Sequence, residues 1–207
     1  MIIKEVCVDN LDDAISAFHK GADRIELCSN LFEDGLSPSF KVLKNSKLKI
    51  PIPTRVMIRP HSKTFNYNNE DLIEMKKTIE FCKIEKFDGV VFGCLNNSSE
   101  LDLKKIDYLT NFSKPLNVII HKAIDLTVSP LESLKKILKL DDIDGVLSSG
   151  GESSALKGSE ILKKMIDISP NGFEMISAGR ITKKNLESLH RKINGRFYHG
   201  RKIVGEL

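Results

Sequence analysis

The sequence predicts an α/β fold of the (β/α)8 TIM-barrel class, with a single domain covering residues 1–207. Short apolar runs rich in β-branched residues alternate along the chain with longer amphipathic segments. This order is typical of a parallel sheet with right-handed crossover helices. Eight such runs favour closure into a barrel, and the mean spacing of about 26 residues per strand–helix unit lies at the small end of this fold class.

The strand candidates also argue against the alternative, an open doubly wound sheet. Such a sheet usually carries a glycine-rich turn after its first strand. Here the first candidate ends in Cys7-Val8-Asp9-Asn10, without a glycine. The eight predicted strands are Ile2–Val8, Arg24–Cys28, Thr54–Arg59, Gly89–Gly93, Leu116–His121, Gly145–Ser149, Phe173–Ala178 and Arg196–His199.

Signals at segment ends support seven helices between the strands. Asn10 is a predicted N-cap and Gly21 a predicted C-cap of the first helix, and Pro38 marks the start of the second. Thr182 is the predicted cap of the last helix. The seven predicted helices are Leu11–Lys20, Ser39–Lys47, Asn69–Lys86, Asp102–Asn111, Pro130–Leu140, Ser153–Ile168 and Lys183–Lys192.

The segment after the eighth strand departs from the regular pattern. Only Gly200–Leu207 remain there, which is too short for a full eighth helix. We expect the last wall of the barrel to be open or irregular. Because an uncovered apolar wall favours association, the sequence predicts a homodimer.

Composition excludes several classes of partner. The net charge of +4, from 32 basic and 28 acidic residues, is too small to indicate nucleic-acid binding, and the chain has no Trp and 3 Tyr for base stacking. A run of about 18 apolar residues, as a membrane span needs, does not occur. The N-terminus lacks the pattern of a signal peptide. We therefore expect a cytoplasmic protein that binds neither nucleic acid nor membranes.

Charged residues on the inward faces of the strands form the first candidate site. Alternate residues of a barrel strand point inward, where Val, Ile and Leu are usual. The charged residues expected to meet in the barrel mouth are Glu5, Arg24, Glu26, Arg59 and His121. Buried charges without partners are costly, so one network is predicted. It is either a functional site or a salt-bridge plug without chemistry.

Cysteines form the second candidate site. Cys7 and Cys28 end neighbouring predicted strands on the inward face, and Cys94 follows the fourth strand. Without a secretory signal these thiols are expected to stay reduced. Soft thiolates favour Cu(I) or zinc, although reduced cysteines at a barrel mouth are also consistent with simple packing. Cys82 lies in a predicted helix and is expected in the core.

Glycines mark the loops after the last three predicted strands, where barrels often bind phosphate through main-chain N–H groups. Arg180, Arg201 and Lys202 add positive charge there. A small anionic ligand is expected, unless the glycines only permit the turns. The residues assigned to ligand contact in this region are Ser149, Gly150, Gly179 and His199.

Specific short motifs occur along nearly the whole chain. The run Gly21-Ala22-Asp23-Arg24-Ile25-Glu26-Leu27-Cys28 is the most specific. The others are Met1–Asn10, Gly35–Ser39, Val56–Pro60, Asp88–Gly93, His121–Asp125, Leu147–Gly150 and Phe197–Gly200. Together these motifs resemble the CutC copper homeostasis family. The resemblance implies the barrel fold, a cytosolic location and a link to copper tolerance. It also implies Cu(I) as the bound species, with Cys7 and Cys28, which match the family's cysteines, as ligands.

Three segments depart from the pattern of that family, and one of them is the glycine-rich turn after strand seven, which is reduced here to Ala178-Gly179-Arg180. The usual His-Arg-Ala-Phe-Asp is His121-Lys122-Ala123-Ile124-Asp125 here, and the usual Arg-Pro-Arg-Gly-Gly is Arg59-Pro60-His61-Ser62-Lys63. Lysine lacks the bidentate fork of arginine. An anion clamp at these positions is therefore expected to be weakened or altered.

Two functions of different classes follow. The first is a Cu(I)-binding protein of copper homeostasis with Cys7 and Cys28 as ligands. The second is a barrel enzyme of unknown reaction that acts on a small anionic metabolite, with Glu5 or Glu26 as general base. Its other assigned roles are anion binding by Arg59 and Lys122, acid or electrophile chemistry by His121, orientation of His121 by Asp125, and a ligand contact by Arg24. A third alternative, an interaction module, leaves the buried charge unexplained.

Overall fold

A computed structural model describes residues 1–207 and contains eight parallel strands that close into a barrel in chain order. Every predicted strand is present, shortened by one or two residues because ladder pairing ends before the apolar run does. The strands are β1 Ile3–Val8, β2 Arg24–Leu27, β3 Thr54–Met57, β4 Gly89–Phe92, β5 Asn117–Ile120, β6 Gly145–Ser148, β7 Glu174–Ser177 and β8 Phe197–His199.

Seven α-helices surround the barrel. Five begin within one residue of the predicted position, because a side-chain N-cap satisfies their first turn; Asn10, for example, accepts a hydrogen bond from the Asp13 amide at 2.8 Å. No helix combines the length and hydropathy needed to cross a membrane. The helices are α1 Leu11–His19, α2 Phe40–Lys49, α3 Asn69–Ile84, α4 Leu103–Ser113, α5 Pro130–Ile137, α6 Ser159–Ile168 and α7 Leu186–Ile193.

The predicted starts of the last two helices were wrong. Helix α6 begins at Ser159 instead of Ser153, because residues 149–158 form turns tied to the loop after β5. Helix α7 begins after Asn185, not Thr182. The Asn185 side chain accepts from the Thr182 amide and donates to the Arg180 carbonyl, which holds the preceding residues in a turn. Two short 3-10 helices, Leu31–Glu33 and Lys122–Leu126, were also not predicted.

The last wall of the barrel is irregular, as one of the two expected alternatives had it, and it is covered by the chain itself instead of being left open. Residues 200–207 form turns and no helix, as predicted. However, the outward-facing Tyr198 is fully buried, and its hydroxyl accepts from the Gly195 amide at 3.0 Å. Ile203 and Val204 are also buried and fill the place of an eighth helix. The packing argument for a homodimer therefore does not hold.

The core has two layers. Forty buried residues lie between the strands and the helices. Inside the barrel, seven further hydrophobic residues form a separate cluster: Cys28, Met57, Val91, Ile119, Leu147, Ile176 and Ala178. This inner cluster draws chiefly on β3 to β7. Charged side chains lie chiefly on β1, β2 and β8, and Arg55 of β3 and Glu174 of β7 join them at the amino ends of the strands.

Candidate functional site

A cavity of about 540 Å³ opens at the carboxyl ends of the strands, the end where barrel enzymes place their chemistry. Its floor contains Cys7 of β1, Glu26 of β2 and His199 of β8, on three adjacent strands. One ligand atom from each of these side chains lies within 4.8 Å of the others. We call these three residues the floor cluster.

Strand pairing explains why the floor cluster forms. Cys7 is paired with Glu26 across β1 and β2, and Glu5 is paired with His199 across β1 and β8. Because β strands alternate, Glu5 and Cys7 face the same interior. Glu5 lies beneath Cys7, next to His199.

Glu5 orients the imidazole of His199. The Nδ1 atom of His199 lies 2.8 Å from Glu5 Oε1, which leaves Nε2 facing Glu26 at 3.7 Å. Burial disfavours the protonated ring and lowers the pKa of His199. Interactions with Cys7, Glu26 and Glu5 have a larger, opposite effect, so the pKa of His199 is raised well above its ordinary value. His199 is therefore fixed in orientation, and its surroundings favour the protonated ring.

The two carboxyl groups of this region have opposite environments. Burial raises the pKa of Glu5, but the His199 hydrogen bond and the charges of Arg24 and Arg55 outweigh burial and lower it. Burial raises the pKa of Glu26, and the Glu5 charge adds to this effect. Glu5 is thus held ionised, while Glu26 is biased towards its neutral acid form.

Cys28 lies directly beside the floor cluster. Its Sγ atom is 3.6 Å from Glu26 Oε2. Burial, together with Glu26, raises the pKa of this thiol well above its usual value. The other two cysteines are remote from the mouth, since Cys82 and Cys94 are both fully buried in the outer core.

Arg24 does not reach the mouth, although the sequence analysis assigned it there. It starts β2 and bonds Glu174 of β7 through Nη2 at 2.8 Å, while its Nε donates to Glu5. Arg55 of β3 also binds Glu174, at 2.9 and 3.0 Å. These residues line a second cavity, of about 580 Å³, at the amino ends of the strands.

Arg55 and Glu174 were missed by the sequence analysis, although a signal was present. Arg55 has the same parity in its strand as Met57, which faces inward, and Glu174 has the same parity as Ile176. Extending the alternation back to the start of each strand would have placed both charges inside the barrel.

Arg59 and His121 line the same cavity as the floor cluster but form no hydrogen bond or ion pair with it. The Arg59 guanidinium donates to the carbonyls of Glu33 and Gly35 at 2.9 and 3.1 Å and covers the Phe65 ring at 4.6 Å. Burial and the Arg59 charge lower the pKa of His121 to about 3, so its ring is neutral. The predicted single network is therefore divided, because the Arg59 guanidinium is bonded to the loop after β2.

Asp125 does not orient His121. Its carboxylate accepts hydrogen bonds from the Ser148 hydroxyl, the Ser149 amide and hydroxyl, and the Gly151 amide. His121 Nδ1 instead accepts from the Ala123 amide at 3.2 Å. Asp125 thus builds the loop after β6.

Lys122 and the glycine loops form the rim of the cavity. Because a 3-10 helix begins directly after His121, strand alternation ends there, and Lys122 lines the same cavity as His121. Its Nζ lies 3.9 Å from Asp125. Ser149, Gly179 and His199 line the cavity as well, while Gly150 lies behind Ser149 with its amide bonded to the Ser148 hydroxyl.

Comparison with known proteins gives the relationship of the chain. Mouse and human proteins, both named copper homeostasis protein cutC homolog, are each 38% identical over 187 residues, covering 90% of this chain and 68% of the relatives. A Dictyostelium discoideum protein of the same name is 35% identical over 224 residues, covering 94% of this chain and 80% of the relative.

A solved structure and a family model agree with these relatives. The crystal structure of a CutC protein from Streptococcus agalactiae superposes with a TM-score of 0.91 at 26% identity, covering 98% of this chain and all of that one. The model of the CutC family matches residues 2–204. By sequence and by fold, this chain belongs to the CutC family.

Proposed function

We propose that the protein binds Cu(I) at the barrel mouth and acts in copper homeostasis. The observation that carries the proposal is the floor cluster, where donor atoms of Cys7, Glu26 and His199 lie within 4.8 Å of one another under an open cavity. A thiolate and an imidazole are ligands that suit Cu(I). The names of the relatives, which refer to copper homeostasis, support the same function.

The support around His199 also fits a metal ligand. Metal-binding histidines usually donate their second ring nitrogen to a carboxylate, which fixes the ring and raises its basicity. Glu5 takes this position at Nδ1, 2.8 Å away, and Nε2 is left towards Cys7 and Glu26. Cys28 adds a second sulfur next to the cluster.

A Cu(I) titration against a competing chelator under anaerobic conditions tests this function. We expect about one ion per chain in the wild type, and at least about tenfold weaker binding in Cys7→Ser and in Cys28→Ser. Because burial raises the pKa of Cys28, coordination must displace its proton, and affinity should rise with pH. Cys82→Ser removes a thiol far from the mouth and serves as the control. Undiminished binding by the Cys7→Ser/Cys28→Ser double variant would refute the proposal.

A second candidate function is that of an enzyme acting on a small anionic metabolite. Glu26 and His199 are neighbouring acid–base groups that line the cavity, and Glu5 beside them has the opposite pKa shift from Glu26. Neighbouring groups whose pKa values are shifted in opposite directions are typical of acid–base catalytic sites. Glu26 would be the general acid or base, and Glu5 would position His199.

Ligand screening by thermal shift tests this second function. Small carboxylates and phosphate esters are compared on the wild type and on Glu26→Gln, since a ligand that binds only the native state raises its melting temperature. Stabilisation by a defined anion would support an enzyme pocket. Absence of any stabilising anion would remove this candidate.

Location and assembly remain predictions of the proposal. A copper-handling CutC protein is expected in the cytoplasm, which fractionation of cells with an antibody against the native chain would test. The homodimer stays a prediction that the covered last wall no longer supports, and light scattering coupled to size exclusion tests it by giving the mass directly.

A further inference from the structure

The loops after β7 and β8 form one wall of the mouth, and the proposed copper site does not use their polar groups. Arg180 lines this wall, and its guanidinium forms no ion pair or hydrogen bond within the chain. The other basic residues of the cavity, Arg59, Lys122 and Arg201, each have a partner within 4 Å. Arg180 is thus a cation that faces the cavity without a partner.

Main-chain donors in the same wall are free as well. The amides of Gly179, Arg180 and Arg201 donate no hydrogen bond within the chain. The backbone has φ values of 103° at Gly179 and 55° at Arg180. Neighbouring main-chain N–H groups of a turn that have no partner within the chain can together donate to an anion.

Close packing between loops holds these donors in place. A Cβ at Gly179 would lie 2.9 Å from Ser149 Cβ, and one at Gly200 would lie 2.4 Å from the Ile181 carbonyl oxygen. The Lys183 amide also bonds the Lys202 carbonyl at 2.9 Å, which joins the loop after β7 to that after β8. The wall is therefore organised without a ligand, which lowers the entropy cost of binding.

We propose that this wall, formed by Gly179, Arg180, Gly200 and Arg201, binds the phosphate group of a small phosphorylated metabolite. Its donors come from two loops and from a planar guanidinium fork, so they approach from several directions. A phosphate group presents three oxygens in a tetrahedral arrangement that can accept them, while a carboxylate presents two oxygens in one plane. This inference rests on the second candidate function, that of an enzyme. The part of the metabolite beyond its phosphate group would lie over the floor cluster.

An acidic side chain of the loop after β6 sets a further expectation, in addition to Asp13, which pairs with Arg201. Glu152 is exposed and lines the same cavity. The negative charge of Glu152 repels an anion bound at the rim, and salt weakens this repulsion. Glu152→Gln is therefore expected to strengthen phosphate binding.

Calorimetric titration at neutral pH and constant ionic strength tests the proposal, with glycerophosphate, inorganic phosphate and glycerol as probes. We expect both phosphates to bind the wild type and glycerol not to bind. Arg180→Asn removes the guanidinium, and asparagine tolerates the positive φ of this position, so the fold is retained. Its affinity for both phosphates should be about tenfold weaker or more. Arg180→Lys keeps the positive charge, so its affinity should fall less. Arg191→Gln, which removes an exposed arginine of α7, should change nothing.

Several outcomes would overturn the proposal. The first is that the wild type binds neither phosphate. The second is that Arg191→Gln weakens phosphate binding as much as Arg180→Asn does. The third is that inorganic phosphate binds and glycerophosphate does not.

The Cys7→Ser/Cys28→Ser variant separates this site from the copper site. It should still bind glycerophosphate, and Arg180→Asn should still bind Cu(I). Loss of phosphate binding in the cysteine variant would place the anion on the floor cluster and refute the assignment to the wall.

Discussion

Glu5 and Glu26 show how neighbours, and not residue type, set chemistry at the scale of single residues. Both are buried inside the same barrel. Glu5 faces Arg24, Arg55 and His199, so its pKa is lowered despite burial. Glu26 is buried beside Glu5, so its pKa is raised. One carboxyl group is therefore held ionised beside His199, while burial and the neighbouring charge favour the neutral form of the other.

The first prediction concerns Glu5→Gln. A carboxyl group whose pKa is lowered by folding stabilises the native state above its unfolded pKa, and this contribution is lost as pH falls through the lowered value. Breaking a buried pair costs about 3–5 kcal/mol. We therefore expect the variant to lose about 3 kcal/mol or more of unfolding free energy at neutral pH, with the difference from wild type shrinking below about pH 4. Urea denaturation at several pH values measures this.

Glu80→Gln is the matched control for that experiment. Glu80 pairs with Lys83 at 3.3 Å on the exposed surface of α3. Exposed pairs contribute about 0–1 kcal/mol, so little change is expected. A Glu5→Gln variant as stable as Glu80→Gln would contradict the stabilising role of the buried pair.

At the scale of elements, the start of a helix was predictable where a neighbouring residue caps it. It was not predictable where the loop before the helix is held by a residue distant in the sequence. Asn10, Ser39 and Ser129 cap their own helices, so nearby residues determine where those helices begin. The start of α6 depends on Asp125, a residue more than twenty positions away that holds the loop after β6. A contact of this separation leaves no periodic signal in the sequence.

The second prediction concerns Asp125→Asn. The carboxylate of Asp125 accepts hydrogen bonds from several N–H and O–H groups. An asparagine amide has only one acceptor oxygen, and its NH2 group would face some of these donors, which then lose their acceptor. Each buried donor left unpaired costs about 1–3 kcal/mol. We expect faster hydrogen exchange confined to residues 148–158, with the barrel strands unchanged. Asp167→Asn, on the exposed side of α6, should behave as wild type; uniform exchange across the chain in Asp125→Asn would contradict a local role.

At the scale of the whole molecule, a chain of charged contacts runs through the barrel from one end to the other. Glu174 at the amino ends contacts Arg24 and Arg55, these contact Glu5, and Glu5 contacts His199 at the mouth. The aliphatic cluster fills the opposite side of the interior. The barrel interior is thus closed by pairing of charges on one side and by hydrophobic packing on the other.

The third prediction concerns the closing segment after β8. Ile203 is 1% exposed and stands where an eighth helix would cover the barrel. Truncating a buried isoleucine to alanine costs about 2–5 kcal/mol, so Ile203→Ala should lower the unfolding free energy by this amount. Val128→Ala, at a side chain that is 98% exposed, should have almost no effect. Equal stability of the two variants in urea would show that the segment does not cover the wall.

Local patterns in the sequence determined all eight strands, the barrel class and the inward placement of Glu5, Cys7 and Glu26, because alternation and end signals depend on neighbouring residues. Tertiary structure alone decided which charges pair. It turned Arg24 towards Glu174, committed Arg59 to loop carbonyls and brought Glu174 against Arg55. The physical reason is that position in a strand gives the face and the level of a residue, but not the direction in which a long side chain extends or the partner that it meets across a closed barrel.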